Sequence, residues 1–412
     1  MSELAERGAN RLEWARSHMG VLGALARELK AERPLKGLRL GMALHVEAKT
    51  GVLALALRDA GATVRLTSCN PLSTDDSVAE ALRGQAGLEV YAKKWQTSEE
   101  YYESLNRVLD LKPDLVIDDG ADLIHLLHTK RRELLKGVRG ANEETTTGVT
   151  RLRIMAREGK LRFPVISVND AQMKYLFDNR YGTGQSTFDG LLTATNLLIA
   201  GKTFVVAGYG WCGRGIAARA SGLGADVVVT EVDPVRAIEA RLDGFRVMPM
   251  AEAVAQADFL VTATGCKDVV AAEHLRKIKD GCVLANAGHF NVEISLPALE
   301  KASKSRRRVR EFVEEFTLRD GRRVHLIGEG RLVNLAVGQG HPAEIMDMSF
   351  AIQALCARHL AEHAEEMAPG VHDVPREIDV RVARMALDAF GVRLDELTTA
   401  QRRYLESWTE GT

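Results

Sequence analysis

Three groups of residues in this 412-residue chain have the types and spacing to do chemistry. The first is the glycine turn Gly208-Tyr209-Gly210-Trp211-Cys212-Gly213, which follows the apolar run Thr203–Ala207. Gly208 permits a tight turn, Gly210 lets backbone approach a pyrophosphate, and Gly213 lets a helix sit close to the strand. The N-terminus of that helix then favours phosphate. Glu231 ends the next apolar run, 23 residues after Gly208. Its carboxylate can accept both hydroxyls of a ribose and would repel a 2′-phosphate. The expected ligand is therefore NAD rather than NADP.

The second group lies in the first half of the chain, where each apolar run gives way to unusual polar residues. His45, Glu47 and Lys49 follow the first run, and Ser68, Cys69 and Asn70 the second. Asp118 and Asp119 come next, then Glu143, Glu144 and the threonines Thr145, Thr146 and Thr147. Asn169, Lys174, Asp178 and Asn179 close the series. Any one of these suits a cap or a surface. Gathered on one edge of a parallel sheet, they suit a hydroxyl-rich ligand. Crowded carboxylates raise a pKa and a nearby ammonium lowers it, so an Asp pair beside a lysine can be tuned into a base. Such a base removes a C–H proton only if the carbon acid is first activated. A nicotinamide does that by oxidising an adjacent hydroxyl to a ketone, which points to an NAD enzyme acting on a sugar-like alcohol. The third group ends the later apolar runs: Thr262, Thr264 and Gly265, then Asn286, Gly288 and His289, then Asn334, Gly340 and His341. These fall in the crevice outside the strand termini.

The elements that must position these groups alternate. Helix is expected from residue 1 to about 33, then strands and helices in turn to about residue 117. A second strand–helix series runs from Thr203 to Ala285. Asp320-Gly321 marks a hairpin, and the basic run beside it, Arg306 to Arg310, is expected to be a solvated rim. The chain then returns to helix after Gly340. Alternation of this kind argues parallel sheets and an α/β class. The expected division is a substrate-binding domain over 1–181, a Rossmann-type NAD domain over 182–342, and a helical return over 343–412.

Composition narrows the class further. Apolar residues make up 46% and charged residues 27%, as in globular proteins. Lys plus Arg is 55 against 56 Asp plus Glu, which gives no general electrostatic reason to bind nucleic acid. Five cysteines, with no CxxC pair, argue against a structural zinc site and for a reducing compartment. No metal, no membrane and a cytoplasmic location are the expectations.

The ordered runs SCNPLSTDD, IDDGADL, GANEETTTGV, VNDAQMKYLFDNRYGTGQS, VVAGYGWCGRG, TATGCKD, NAGHFNVEI and GRLVNLAVGQGHP resemble S-adenosylhomocysteine hydrolases, over about residues 36 to 345. The resemblance implies an enzyme of one-carbon metabolism that keeps NAD bound and recycles it. The ribose 3′-hydroxyl is oxidised, the C4′ proton is lost, homocysteine leaves C5′, water adds, and the hydride returns. Matched position by position, Asp119 falls on the C4′ base, and Lys174 and Asp178 on the groups that grip the 3′- and 2′-hydroxyls, with Lys174 assisting alcohol deprotonation. Glu144 and Thr145 match the ribose network, and Asn179 the residue that orders it near the nicotinamide. His45 matches the histidine near C5′, His289 one near the substrate tail and domain gate, and His341 one whose loop lies against the purine and the amino-acid end. Gly208, Gly210, Gly213, Glu231, Thr264 and Asn334 match cofactor contacts, and Thr145, Thr146, Thr147, Asn179 and Asn286 join them.

Three departures qualify the match. Thr183 stands where many relatives have cysteine near the nicotinamide. The chain stops at Gly411-Thr412 without the tail whose Lys and Tyr reach a neighbour's cofactor, which resembles the compact archaeal and thermophilic bacterial type; a homotetramer is still expected. Where adenosine-specific relatives show HxTxE or HxTxQ, this chain has His45-Val46-Glu47-Ala48-Lys49. Lysine only donates, so Lys49 suits the C6 carbonyl of hypoxanthine, with Glu47 accepting from its N1–H. S-adenosyl-L-homocysteine is the first expectation and S-inosyl-L-homocysteine the alternative. A conventional dehydrogenase acting on a sugar alcohol comes third.

Overall fold

Short apolar runs, each bounded by glycine or polar residues, form two sheets in the computed structural model, which describes residues 2–409. The first sheet takes β1 (Arg39–Ala43), β2 (Thr63–Thr67), β3 (Leu88–Val90), β4 (Leu115–Asp118), β5 (Gly140–Glu143) and β6 (Pro164–Ser167). The second takes β7 (Thr203–Ala207), β8 (Asp226–Thr230), β9 (Arg246–Val247), β10 (Phe259–Thr262), β11 (Cys282–Asn286), β12 (Ser303–Arg310), β13 (Val313–Leu318) and β14 (Arg323–Ile327). The chain then returns through the helix Ala343–His363, and β15 (Gly370–Asp373) joins the first sheet beside β6.

The first sheet runs β15-β6-β5-β4-β1-β2-β3, all parallel. Its central strands are covered on both faces, which is why they read as unbroken apolar runs. Leu40, Met42, Val64, Leu66, Ile117 and Ile166 are sealed in one core with residues of the flanking helices. Register then sets the chemistry: Ala43 pairs with Asp118, Asp118 with Glu143, and Glu143 with Ser167. Four consecutive strands therefore end level, and the polar residues that follow them share one edge. The second sheet runs β12-β13-β14-β11-β10-β7-β8-β9, with β7 and β8 at the glycine turn. The β13–β14 hairpin closes around Asp320-Gly321 as the sequence predicts.

Other expectations change. The single N-terminal helix is two, Glu3–Ser17 and Gly20–Glu32. The break falls at His18–Met19, and the second helix begins where Asp347 accepts from Val21 N at 2.8 Å and Leu22 N at 2.6 Å. Trp14, on the first of them, is 70% exposed. The helical return expected after Gly340 is interrupted by β15. Glu143 ends β5, so Glu144 and the threonines follow a strand. The basic run is a solvated rim as expected, the exposed outer strand β12, with Arg306 paired to Glu314 and Arg307 to Glu315. The missing-tail expectation turns on Gly411 and Thr412, which lie outside the described residues. Among the described residues, no helix is long and apolar enough to cross a membrane.

Candidate active site

The glycine turn is built as a cradle. Gly208 adopts φ +95°, and its N–H donates to Thr230 O at 2.8 Å. A Cβ on Gly213 would sit 1.9 Å from Gly208 O, so only glycine lets the helix Trp211–Gly222 start this close to β7. Across the turn, Glu231 Oε2 accepts from Tyr209 N at 2.7 Å and Oε1 from Val232 N at 2.7 Å, which fixes the carboxylate beside the cradle. Thr145 opens the helix Thr146–Arg157 without using its hydroxyl as a cap. Thr146 donates to Asn169 Oδ1 at 3.1 Å, and the Thr147 hydroxyl faces Gly265. Asn334 Oδ1 is buried with no partner while Nδ2 lies 3.2 Å from His341 Nε2. A buried orphan acceptor, a glycine cradle and an anchored carboxylate fit a dinucleotide. Thr264 and Asn286 are engaged within the protein: Thr264 by Glu293, and the Asn286 amide by the Gly288, Phe290 and Gly330 carbonyls. Arg214, which could have met a phosphate, is paired with Glu239 and lies over Trp211.

The strand ends of the first sheet face this cleft. The residues Tyr175–Gly182 form a π-helical segment directly after Lys174. Wider turns put both i+4 and i+5 on one face, and such segments recur at functional sites. Lys174 Nζ therefore reaches Asp178 Oδ1 at 3.7 Å and Asn179 Oδ1 at 2.7 Å, with Glu144 Oε1 at 3.6 Å. Burial alone would lower the Lys174 ammonium, but Asp178 and Glu144 more than offset it and hold it above its usual range. Burial would raise Asp178, yet Lys174 and His341 hold it well below the carboxylate range. Glu144 lacks that full compensation, and burial pushes it up to about 8. Its Oε1 has no hydrogen-bond partner.

Asp119 lies between two histidines. Oδ2 is 3.3 Å from His45 Nε2, and Oδ1 is 3.6 Å from His289 Nδ1. His45 Nδ1 lies 2.7 Å from Ser73 Oγ and 3.3 Å from Cys69 Sγ. Burial brings His45 down to about 4 although Asp119 acts to raise it, so the ring is neutral near pH 7. His289 reaches over from the end of β11, and a Cβ on Gly120 would fall 2.2 Å from its Nε2. His341 Nδ1 lies 2.9 Å from Asp178. These two histidines bring the second sheet's loops onto the first sheet's carboxylates. The His45, Asp119 and His289 donor atoms all lie within 4.8 Å, a spacing that a metal ion could also bridge.

On the cavity wall, Glu47 caps the helix Ala48–Asp59. Oε1 accepts from Thr50 N and Thr50 Oγ1, and Oε2 accepts from Lys49 N and pairs with Lys49 Nζ at 2.7 Å. Lys49 Nζ also donates to Gln339 O at 2.8 Å.

Comparison with known proteins decides the family. Residues 2–134 match the S-adenosyl-L-homocysteine hydrolase model, and residues 179–340 match the NAD-binding domain of the same enzyme. A Methanothermobacter thermautotrophicus protein named S-inosyl-L-homocysteine hydrolase is 58% identical over 411 residues, covering 99% of this chain and 98% of the relative. An Archaeoglobus fulgidus protein named adenosylhomocysteinase is 58% identical over 405 residues, covering 98% of this chain and 100% of the relative. The chain belongs to the S-adenosylhomocysteine hydrolase family. It is an adenosylhomocysteinase-type hydrolase with an NAD-binding domain.

The family site also holds groups that the strand-end pattern misses. Ser349 donates to Asp178 Oδ2 at 2.8 Å, and Gln353 Nε2 donates to Glu144 Oε2 at 2.5 Å. Both come from the helix Ala343–His363, and their signal was two polar residues inside an otherwise apolar helical run. Ser73 orients His45 from within the SCNPLSTDD run. Glu293 accepts from Thr264 N, Thr264 Oγ1 and Gly265 N, and so holds the β10 and β11 loops together. Thr183 lies 3.5 Å from Cys212 Sγ and 3.4 Å from His341 Nε2.

Proposed function

We propose that this protein hydrolyses S-inosyl-L-homocysteine to inosine and L-homocysteine, with NAD recycled at each turnover. The observation that carries the choice of base is the Glu47–Lys49 pair. A carboxylate has about four lone-pair sites, and Thr50 and Lys49 already present four donors to Glu47. Little capacity remains to accept from an adenine amino group. Lys49 Nζ has two partners and three protons, so one donor remains for a C6 carbonyl. The contact first expected between Glu47 and N1–H does not suit this arrangement. Relatives named for the inosyl substrate, at 58% and 57% identity, support the same reading.

The adenosyl substrate is the second reading. It is favoured by the engagement of Lys49 with Glu47 and Gln339 O, which leaves room for backbone recognition of adenine, and by the Archaeoglobus fulgidus relative. Rates on the two thioethers, measured side by side on the holoenzyme, test the choice. A higher kcat/KM on the adenosyl compound reverses it. Net NADH production would instead favour the dehydrogenase.

The roles are those the family resemblance implies, and the geometry is compatible with them. Bound NAD supplies the hydride acceptor for the sugar's 3′ carbon. Gly208, Gly210, Gly213 and Glu231 would hold its adenosine half, and Thr145, Thr146, Thr147, Asn179, Thr264, Asn286 and Asn334 the remainder. Asp178 and Glu144 accept from the ribose hydroxyls. With its ammonium held charged, Lys174 stabilises the 3′ oxygen while the hydroxyl proton passes to the ionised form of Glu144, the carboxyl beside it that burial pushes up to about 8. Asp119 removes the C4′ proton. Neutral His45 exchanges protons with the leaving thiolate and the incoming water, His289 closes over the tail, and His341 closes over the base. The division into 1–181, 182–342 and 343–412, a homotetramer and a cytoplasmic location complete the proposal.

A further inference from the structure

Two polar side chains buried in the helix Ala343–His363, Ser349 and Gln353, stand four residues apart and so share one face. Gln353 is fully buried, and its Oε1 has no hydrogen-bond partner. A half-satisfied amide in an apolar setting costs stability that an apolar side chain would not. Among the described residues its side chain makes one hydrogen bond, from Nε2 to Glu144 Oε2 at 2.5 Å. The backbone ties it to the same strand end, since Asn142 Nδ2 donates to Gln353 O at 3.1 Å. Gln353 is therefore placed, against its own burial, to hold one oxygen of Glu144.

That hold makes the two carboxylates beside Lys174 unlike. Both oxygens of Asp178 are engaged, Oδ2 by Ser349 at 2.8 Å and Oδ1 by His341 Nδ1 at 2.9 Å. Glu144 lines the catalytic cavity with only Oε2 engaged; Oε1 has no hydrogen bond and lies 3.6 Å from Lys174 Nζ. Against burial, Lys174 and His341 hold Asp178 well below the carboxylate range, which makes it a poor proton acceptor. Burial pushes Glu144 up to about 8, with Lys174 favouring its ionised form and Asp178 and Asp119 opposing it. The Cys356 thiol, about one turn along the helix, is kept neutral by burial. A donated N–H from Gln353 acts with Lys174, because a hydrogen bond to the charged form favours that form.

We propose that Gln353 is a positioning residue for the oxidation step: its amide fixes Glu144 Oε2, so that Oε1 is the oxygen that receives the proton of the sugar's 3′-hydroxyl. This rests on the thioether hydrolase reading above. The 3′ O–H bond breaks and its proton bonds to Oε1. The pair left on oxygen closes the ketone, and the C3′ hydrogen leaves with its electron pair to bound NAD. The same proton returns from Oε1 when the ketone is reduced at the end of turnover. Without the amide, the carboxyl keeps its proton to a higher pH and either oxygen can turn to the sugar.

The test follows bound NADH formed on mixing NAD-loaded protein with the free nucleoside, from about pH 6 to about pH 9.5, for wild type, Gln353→Met and Ser349→Ala. Methionine is close to glutamine in length and carries no N–H; Gln353→Leu gives the same comparison should the first variant fold poorly. Loss of a hydrogen bond to a charged group should raise the pH at which oxidation reaches its plateau by about one to two units. Gln353→Met should then be about 10- to 100-fold slower than wild type near pH 6 and within about fourfold near pH 9.5. Ser349→Ala, which frees Asp178 instead, should leave the plateau pH in place. Urea unfolding of the same proteins needs no turnover. The fall in stability as Glu144 ionises in the fold should extend about one to two pH units higher in Gln353→Met than in wild type. Slowing by one factor at every pH, or an equal move of the plateau in Ser349→Ala, would make Gln353 structural and overturn the proposal. Wild-type protein that oxidises the nucleoside with this pH dependence yet never releases thiol from either thioether would refute the hydrolase reading and leave the role of Gln353 standing.

Discussion

Lys49→Gln separates the two substrates, because it alters the donor at the base end while leaving the sugar-gripping groups in place. In the wild type, Lys49 Nζ is fixed by Glu47 at 2.7 Å and Gln339 O at 2.8 Å, which leaves one proton to point at a base. A C6 carbonyl accepts that proton, whereas a C6 amino group leaves it unmatched. An unpaired buried donor costs about 1–3 kcal/mol, and each 1.36 kcal/mol is tenfold in rate. The expected wild-type preference for the inosyl thioether is therefore roughly 5- to 150-fold in kcat/KM. Glutamine is nearly as long and offers an acceptor as well as a donor, so the ratio should collapse toward one or favour the adenosyl compound. Both substrates should also lose some activity, since Gln339 O and Glu47 each lose a partner. Glu47 keeps its backbone contacts with Lys49 N and Thr50 N, so the helix start should survive. That common loss cancels in the ratio. The assay is thiol release from each thioether by wild type and variant under one set of conditions. A ratio unchanged by the substitution would mean that Lys49 does not read the base.

Asp119→Asn should form bound NADH at once on mixing with substrate yet release thiol about 10²- to 10⁴-fold more slowly, the usual value of a positioned general base. His45, already held near 4, loses the carboxylate that raises it and stays neutral, so a normal release rate would refute the base assignment rather than expose a charge effect. Gly215→Ala should lower the melting temperature, because the new Cβ would stand 1.8 Å from Arg180 O, and overpacking of this kind costs about 1–3 kcal/mol. Thermal unfolding at wild-type temperature would show that the π-helical segment yields. Glu144→Gln tests the raised carboxyl: Glu144 is protonated in the fold up to about 8 but ionised when unfolded above 4.5. Its contribution to stability therefore falls as pH rises between those values and is flat above them. Urea unfolding should show wild type losing ground to the variant across that window; parallel curves would disprove the shift.

How much of the site was legible depends on what positions each group. His45, Asp119, Glu144 and Asn169 follow strands whose register makes them end level. A parallel sheet needs only its apolar runs to announce that edge, so these were readable from the runs alone. The glycine turn with Glu231 was readable for the same reason, being a local shape. Asp178 and Asn179 were visible as polar residues, but their convergence on Lys174 needs a π-helical turn that no apolar period encodes. Ser349 and Gln353 were hidden differently. They sit on the returning helix and meet Asp178 and Glu144 from 171 and 209 residues away. The N-terminal helix was misjudged for a related reason, since Asp347 caps its second half from 326 residues away.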